Sequence, residues 1–123
     1  MSDTIGLTAF ATDDHRQCDL LWAEVEQLED DPQAAVAAWQ TFADAMERHL
    51  QMEEAVLFPA FEEATGMRGG GPTAVMRMEH AQMRGVMATM AEAARDQDIE
   101  LLLDHGDTLL MLIQQHNVKE ENM

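Results

Sequence analysis

Two short segments carry a histidine and a glutamate four residues apart: His49-Leu50-Gln51-Met52-Glu53-Glu54 and His116-Asn117-Val118-Lys119-Glu120-Glu121. Residues four apart on a helix stand one above the other on the same face, so an imidazole nitrogen and a carboxylate at this spacing can reach one metal ion. A single His-x-x-x-Glu is a weak signal, because surface helices produce it by chance. Here both copies fall within periodic apolar runs: Trp39, Phe42, Met46, Leu50, Leu57 and Phe61 around the first, and Ile99, Leu102, Leu109 and Ile113 before the second. A carboxylate on a buried face is costly unless it is paired or metal-bound. The two pairs therefore read as ligands of a common site.

Four helices are needed to position them. The first is expected to start near Thr12-Asp13-Asp14, where a hydroxyl or carboxylate can cap free amides, and to run to about Glu29, with His15, Cys18, Trp22, Val25 and Leu28 facing inward. Asp30-Asp31-Pro32 makes the turn into a second helix, which reaches about Ala64 with Gly66 as its stop. Pro59 is expected to bend or end the regular hydrogen bonding just past His49 and Glu53. Gly66 to Gly71 reads as a flexible loop. Pro72-Thr73 opens a third helix carrying Met76, His80, Met83, Met87, Met90 and Ala94 on one face, and a turn at Arg95 to Asp98 leads into a fourth from about Ile99. No sustained alternation of apolar and polar residues marks a strand, and tyrosine is absent. The fold class is all-α, an antiparallel up-down-up-down four-helix bundle, and residues 1–123 form one domain.

That topology tests the metal reading. Counted from the end of the bundle opposite the site, His15, His49, His80 and His116 lie about 14, 17, 15 and 18 residues along their helices, or about 21 to 27 Å at 1.5 Å per residue. All four fall in one layer, with Glu53 and Glu120 one turn further out. His105 is about 16 Å below His116 on the same count and reads as a half-exposed helix histidine outside the site.

Four imidazoles and two carboxylates without cysteine suit an intermediate metal such as iron, manganese or zinc. The pseudo-symmetric arrangement suggests two metals bridged by the carboxylates, with positions left open for water, an oxo bridge, O2 or NO. Glu54 and Glu121 read as outward groups or as groups that orient imidazole N–H. Cys18 reads as a small buried core residue, and the methionines of the third helix as flexible core filling that could line a pocket for a small apolar gas. Other metal motifs fail. Ferritin-like Glu-x-x-His is absent, since Thr12, Met46, Arg77, Leu102 and Ile113 stand three before the five histidines, and there is no His-Glu-x-x-His.

Composition narrows the partners. With 24 acidic against 7 basic residues the net charge is -17, which argues against nucleic acid and against anionic membrane. One cysteine excludes a disulfide framework and a cysteine-based zinc site. Residues 1–11 do not read as a signal peptide, and no apolar run is long enough to span a bilayer, so a soluble cytoplasmic protein is expected.

At these residues the chain resembles the hemerythrin-like HHE cation-binding family over nearly its whole length. Asp14-His15-Arg16, His49 to Pro59, Gly71-Pro72 to Glu79-His80, and His116 to Asn122 look like its successive signature segments. The resemblance implies a hemerythrin-like bundle holding two iron ions (Fe2+/Fe3+), with His15, His49, His80 and His116 as terminal ligands and Glu53 and Glu120 as bridges. The chain is especially similar to the di-iron domain of proteins that repair iron-sulfur clusters after nitrosative or oxidative stress, which carry a further N-terminal cysteine-containing segment that this sequence does not show. Oxygen-carrying members have His-x-x-x-His on the third helix, whereas Met76 and Arg84 flank His80 here. The repair proteins also place a histidine between those matching His15 and His49, which this chain lacks. Relatives continue past the last Glu-Glu with an apolar-apolar-Pro segment, so this sequence is expected to be a trimmed domain or to have that end covered by a partner helix. The expected function is reversible handling of iron, O2 or NO, as a gas-binding protein or as an iron donor to an acceptor protein. The alternative is a helical interaction module, a homodimer for example, with a structural metal or none.

Overall fold

A computed structural model describes the backbone of residues 2–66 and 71–121, with side chains described from residue 13 onward. The helices are α1 (Ser2–Gln27), α2 (Pro32–Met52), α3 (Phe58–Thr65), α4 (Pro72–Arg95) and α5 (Ile99–Glu121), with one π-helical turn, Glu53–Leu57, joining α2 to α3. The chain from Pro32 to Thr65 is thus one continuous rod, and the bundle has four such rods. No strand occurs among the described residues, and no described helix is long and apolar enough to cross a membrane.

Local chemistry explains the joints. Asp31 caps α2 by accepting from the Ala34 amide at 3.3 Å, with Pro32 in the first turn where its missing N–H costs nothing. Gly66 ends α3 in the left-handed region (φ 73°), its amide donating to Glu62 O at 2.8 Å, as the sequence suggests. Asp98 caps α5 by accepting from the Leu101 amide at 3.2 Å. The expected flexibility of the glycine-rich loop concerns residues 67–70, which lie outside those described.

Two expectations need correction. The first helix starts at Ser2 and not near Asp13, since Thr12-Asp13 is a capping pattern without a break: no proline interrupts residues 2–12, and one interior glycine, Gly6, costs only about 1 kcal/mol relative to Ala. The second concerns Phe61, which is half-buried, while Phe58 is fully buried. The irregularity expected at Pro59 begins at Glu53. In the π turn the Phe58 amide reaches back five residues to Glu53 O, and this extra residue rotates everything beyond it, so the inward sequence runs Glu53, Phe58, Glu62.

Antiparallel packing follows from contacts whose residue numbers rise on one helix as they fall on its neighbour. Trp22 packs on Phe42 while His15 meets Glu53; Glu47 meets Arg84 while Glu62 meets Thr73 and Arg77; Gly106 faces Trp22 while Glu120 faces His15. The neighbours are therefore α1 with α2, α2 with α4, α4 with α5, and α5 with α1. The main core is built from the expected stripes, including Trp22, Trp39, Phe42, Met83, Met90, Leu102 and Leu109. A small second cluster of Leu57, Phe58 and Met76 lies beyond the histidine layer, one turn past Glu53 and one turn before His80. Ionisable side chains are thus enclosed between two apolar layers.

Candidate metal centre

All six residues singled out in the sequence converge. Each of the four rods supplies one histidine, and His15, His49, Glu53, His80, His116 and Glu120 are all buried. Glu53, with no exposed surface, sits at the middle. Its Oε2 lies 3.3 Å from His15 Nε2 and 2.8 Å from His49 Nε2, and its Oε1 lies 2.8 Å from His80 Nε2 and 3.3 Å from His116 Nε2. Glu120 repeats the arrangement, with Oε1 at 3.1 Å from His15 Nε2 and Oε2 at 3.3 Å from His116 Nε2. Each carboxylate therefore turns one oxygen to each of two histidine pairs, His15 with His49 and His80 with His116. His105 lies two turns or more away and is half-buried.

The outer ring nitrogens are held by acidic side chains. His49 Nδ1 donates to Asp14 at 2.5 Å, His80 Nδ1 to Glu54 at 2.7 Å and His116 Nδ1 to Glu79 at 3.0 Å. His15 Nδ1 has only Glu121, at 3.9 Å, and makes no hydrogen bond. A carboxylate that takes the Nδ1 proton leaves Nε2 as the nitrogen turned inward. Glu54 is thus an orienting group as expected, whereas Asp14 and Glu79 were not foreseen in that role. Each precedes a site histidine, and that acidic neighbour was the available signal; since adjacent helix residues diverge, each serves a histidine on another helix.

Whether these residues suit a metal can be judged from atoms with no other use. His49 Nε2 and both Glu120 carboxylate oxygens are buried, and their only neighbours are the other groups of the same centre, with which none makes a well-aligned hydrogen bond. His15, His49, Glu53 and Glu120 offer ligand atoms within 4.8 Å of one another, as do Glu53, His80 and His116. The donors are nitrogen and oxygen only. The set fits an ion of intermediate softness.

Electrostatics follow the same geometry. Burial pushes the His15 imidazole down, but Glu120 and Glu53 outweigh it and lift its pKa to about 9; burial likewise opposes and the same two carboxylates lift His116 to about 10. His49 is raised against its burial by Glu53. Glu53, despite burial, is held far below the usual carboxylate range by the surrounding imidazoles. Burial and then the nearby Asp14 and Asp19 push the Cys18 thiol up to about 12, so it stays protonated and acts as core. A raised histidine pKa stabilises the folded chain fully below the ordinary 6.5 and loses that contribution as pH rises through the folded value. Chelator-treated protein is therefore expected to lose stability to urea as pH rises from about 6.5 to about 10, and a flat denaturation midpoint over that window would show that the two carboxylates do not hold these protons. Glu53 works in the opposite sense, contributing above the ordinary 4.5 and losing its contribution as pH falls.

A cavity of about 10 Å³, enough for one water-sized molecule, adjoins the centre and is lined by His15, Cys18, Met46, His49, Met83 and Ile113 among others. Of the methionines on α4, only Met83 lines it.

An all-helical bundle with paired imidazoles and carboxylates directed at its interior is of the metal-binding four-helix class. The hemerythrin HHE cation-binding domain family matches residues 7–123, and the chain belongs to that family. No curated protein and no solved structure matches the chain.

Proposed function

We propose that His15, His49, His80 and His116, with Glu53 and Glu120 as shared bridges, hold two iron ions, and that the protein handles iron, O2 or NO through them. The observation that carries this reading is the division of labour at Glu53, where one buried carboxylate gives one oxygen to each of two histidine pairs. Iron held by these nitrogen and carboxylate donors would supply reversible redox and small-ligand chemistry. The residues of the chain fix what that chemistry has to work with. Asp14, Glu54 and Glu79 set the direction of three imidazoles, the apolar clusters on both sides exclude bulk water, and the small cavity beside His15, His49 and His116 has room for one water-sized ligand. Donation of iron to an acceptor protein, as in cluster repair, is one form the activity could take, and gas binding the other.

The test is metal content and absorption after anaerobic loading with ferrous iron and exposure to air. About two irons per chain are expected for paired sites sharing carboxylates, with a near-ultraviolet band that tryptophan does not produce. His49→Ala should abolish loading, and His105→Ala should leave it intact. Equal iron in these variants would sink the ligand assignment, and no iron at all would favour a helical interaction module.

A further inference from the structure

The centre has an internal two-fold correspondence that the supporting residues break. Asp14-His15 on α1 corresponds to Glu79-His80 on α4, and His49, Glu53 and Glu54 correspond to His116, Glu120 and Glu121 on α5. Asp14 serves His49 as Glu79 serves His116, and Glu54 serves His80 as Glu121 faces His15.

Cations support only one half. Arg84, four residues after His80, donates to both oxygens of Glu54 at 2.7 and 3.1 Å while its Nε and Nη2 hold Glu47 at 3.0 and 2.9 Å. Lys119 donates to Glu79. The corresponding positions are Asp19, four after His15, and Met52, three after His49. Neither can hold a carboxylate. Among the described residues, Asp14 and Glu121 make ion pairs with imidazoles but with no cationic side chain of Lys or Arg. The imidazoles reflect the difference: His80 and His116 both hydrogen-bond carboxylates that are themselves anchored, whereas in the other half His49 bonds Asp14, which no Lys or Arg holds, and His15 Nδ1 is left with Glu121 at 3.9 Å, whose side chain is 46% exposed against 29% for its counterpart Glu54. Phe58 also packs on the His80 ring at 5.2 Å, closing that half.

We propose that the two halves are unequal by construction: the His80 and His116 half binds its metal first and retains it, and the His15 and His49 half holds the second metal more weakly and exchanges it. Arg84 and Lys119 are positioning residues for the retained ion. This rests on the two-metal reading above. The second ion is the one available for transfer.

The experiment is anaerobic titration of chelator-treated protein with Fe2+, followed by removal with a ferrous chelator. Outer supporting groups alter metal affinity by about 10- to 100-fold, so two steps separated by at least about tenfold are expected. His15→Ala should keep one tight equivalent, and His80→Ala should lose it. Arg84→Gln should weaken the tight step about tenfold and leave the weak step unchanged, whereas a merely structural role would shift both. Asp19→Arg places a cation at the position that corresponds to Arg84 and should tighten the weak step alone. Two indistinguishable steps, a tight step that survives His80→Ala, or an Arg84→Gln variant with both steps unchanged would overturn the inequality while leaving two metals in place. Binding of one ion or none by the unaltered protein would overturn the two-metal reading itself.

Discussion

Replacing Glu53 with Gln is expected to abolish iron loading at both positions and to destabilise the metal-free bundle in a pH-dependent way. Glu53 is fully buried, and its two oxygens lie 2.8 to 3.3 Å from the Nε2 atoms of all four histidines. The amide keeps the shape and removes the charge, so each of the two proposed ions would lose an anionic oxygen at once. Without metal, the imidazolium forms of His15, His49 and His116 then have only Glu120 as a buried counter-charge. Removing one partner of a buried ion pair costs about 3 to 5 kcal/mol. That cost applies where the imidazoles are charged in both states, around pH 6, and shrinks toward pH 10, because His15 and His116 titrate at about 9 and 10 in the folded chain. Metal analysis and urea denaturation at the two pH values would check both parts. A variant that still carries two irons would remove Glu53 as a bridge, and an equal loss of stability at both pH values would show that its charge is not what holds the imidazoles.

Gly106→Val is expected to destabilise the fold by about 3 kcal/mol through overpacking. A Cβ built on Gly106 overlaps the six-membered ring of Trp22, closer than carbon atoms can approach. Trp22 cannot swing aside, being 2% exposed and packed on Phe42 at a ring separation of 5.2 Å. The clash therefore pushes α5 away from α1, the two helices that carry Glu120 and His15. Gly85, in the interior of α4, has nothing within 4 Å of a built Cβ, and there Gly→Ala should stabilise by about 0.5 to 1 kcal/mol, the ordinary gain in helix propensity. Urea midpoints moving in opposite directions would bear out the pair of predictions. A neutral Gly106→Val would show that α1 and α5 can separate without cost.

The two glycines mark a boundary between sequence and structure. Each sits within an apolar-periodic helix, and nothing in the local pattern distinguishes them, because what matters is a ring some 84 residues away along the chain for Gly106 and open solvent for Gly85. The π turn at Glu53 is similar. Pro59 announces an irregularity, but its position one turn earlier, with Phe58 inward in place of Phe61, depends on how α2 and α3 settle against α4. The start of α1 at Ser2 shows the converse error, a capping pattern mistaken for a boundary when no residue breaks the helix there.

By itself the sequence determined the four-rod architecture, its connections near residues 31, 66 to 71 and 96 to 98, and the meeting of His15, His49, Glu53, His80, His116 and Glu120. It could do so because helical rise and periodicity are local and uniform, so counting residues places side chains by height and face. Tertiary structure alone decided which oxygen of Glu53 faces which histidine, that Asp14 and Glu79 support imidazoles on neighbouring helices, and that Arg84 and Lys119 anchor one half of the centre while Asp14 and Glu121 of the other pair with no Lys or Arg. These depend on the rotation and spacing of helices against one another. That is set by packing between residues distant in sequence, which no local period encodes.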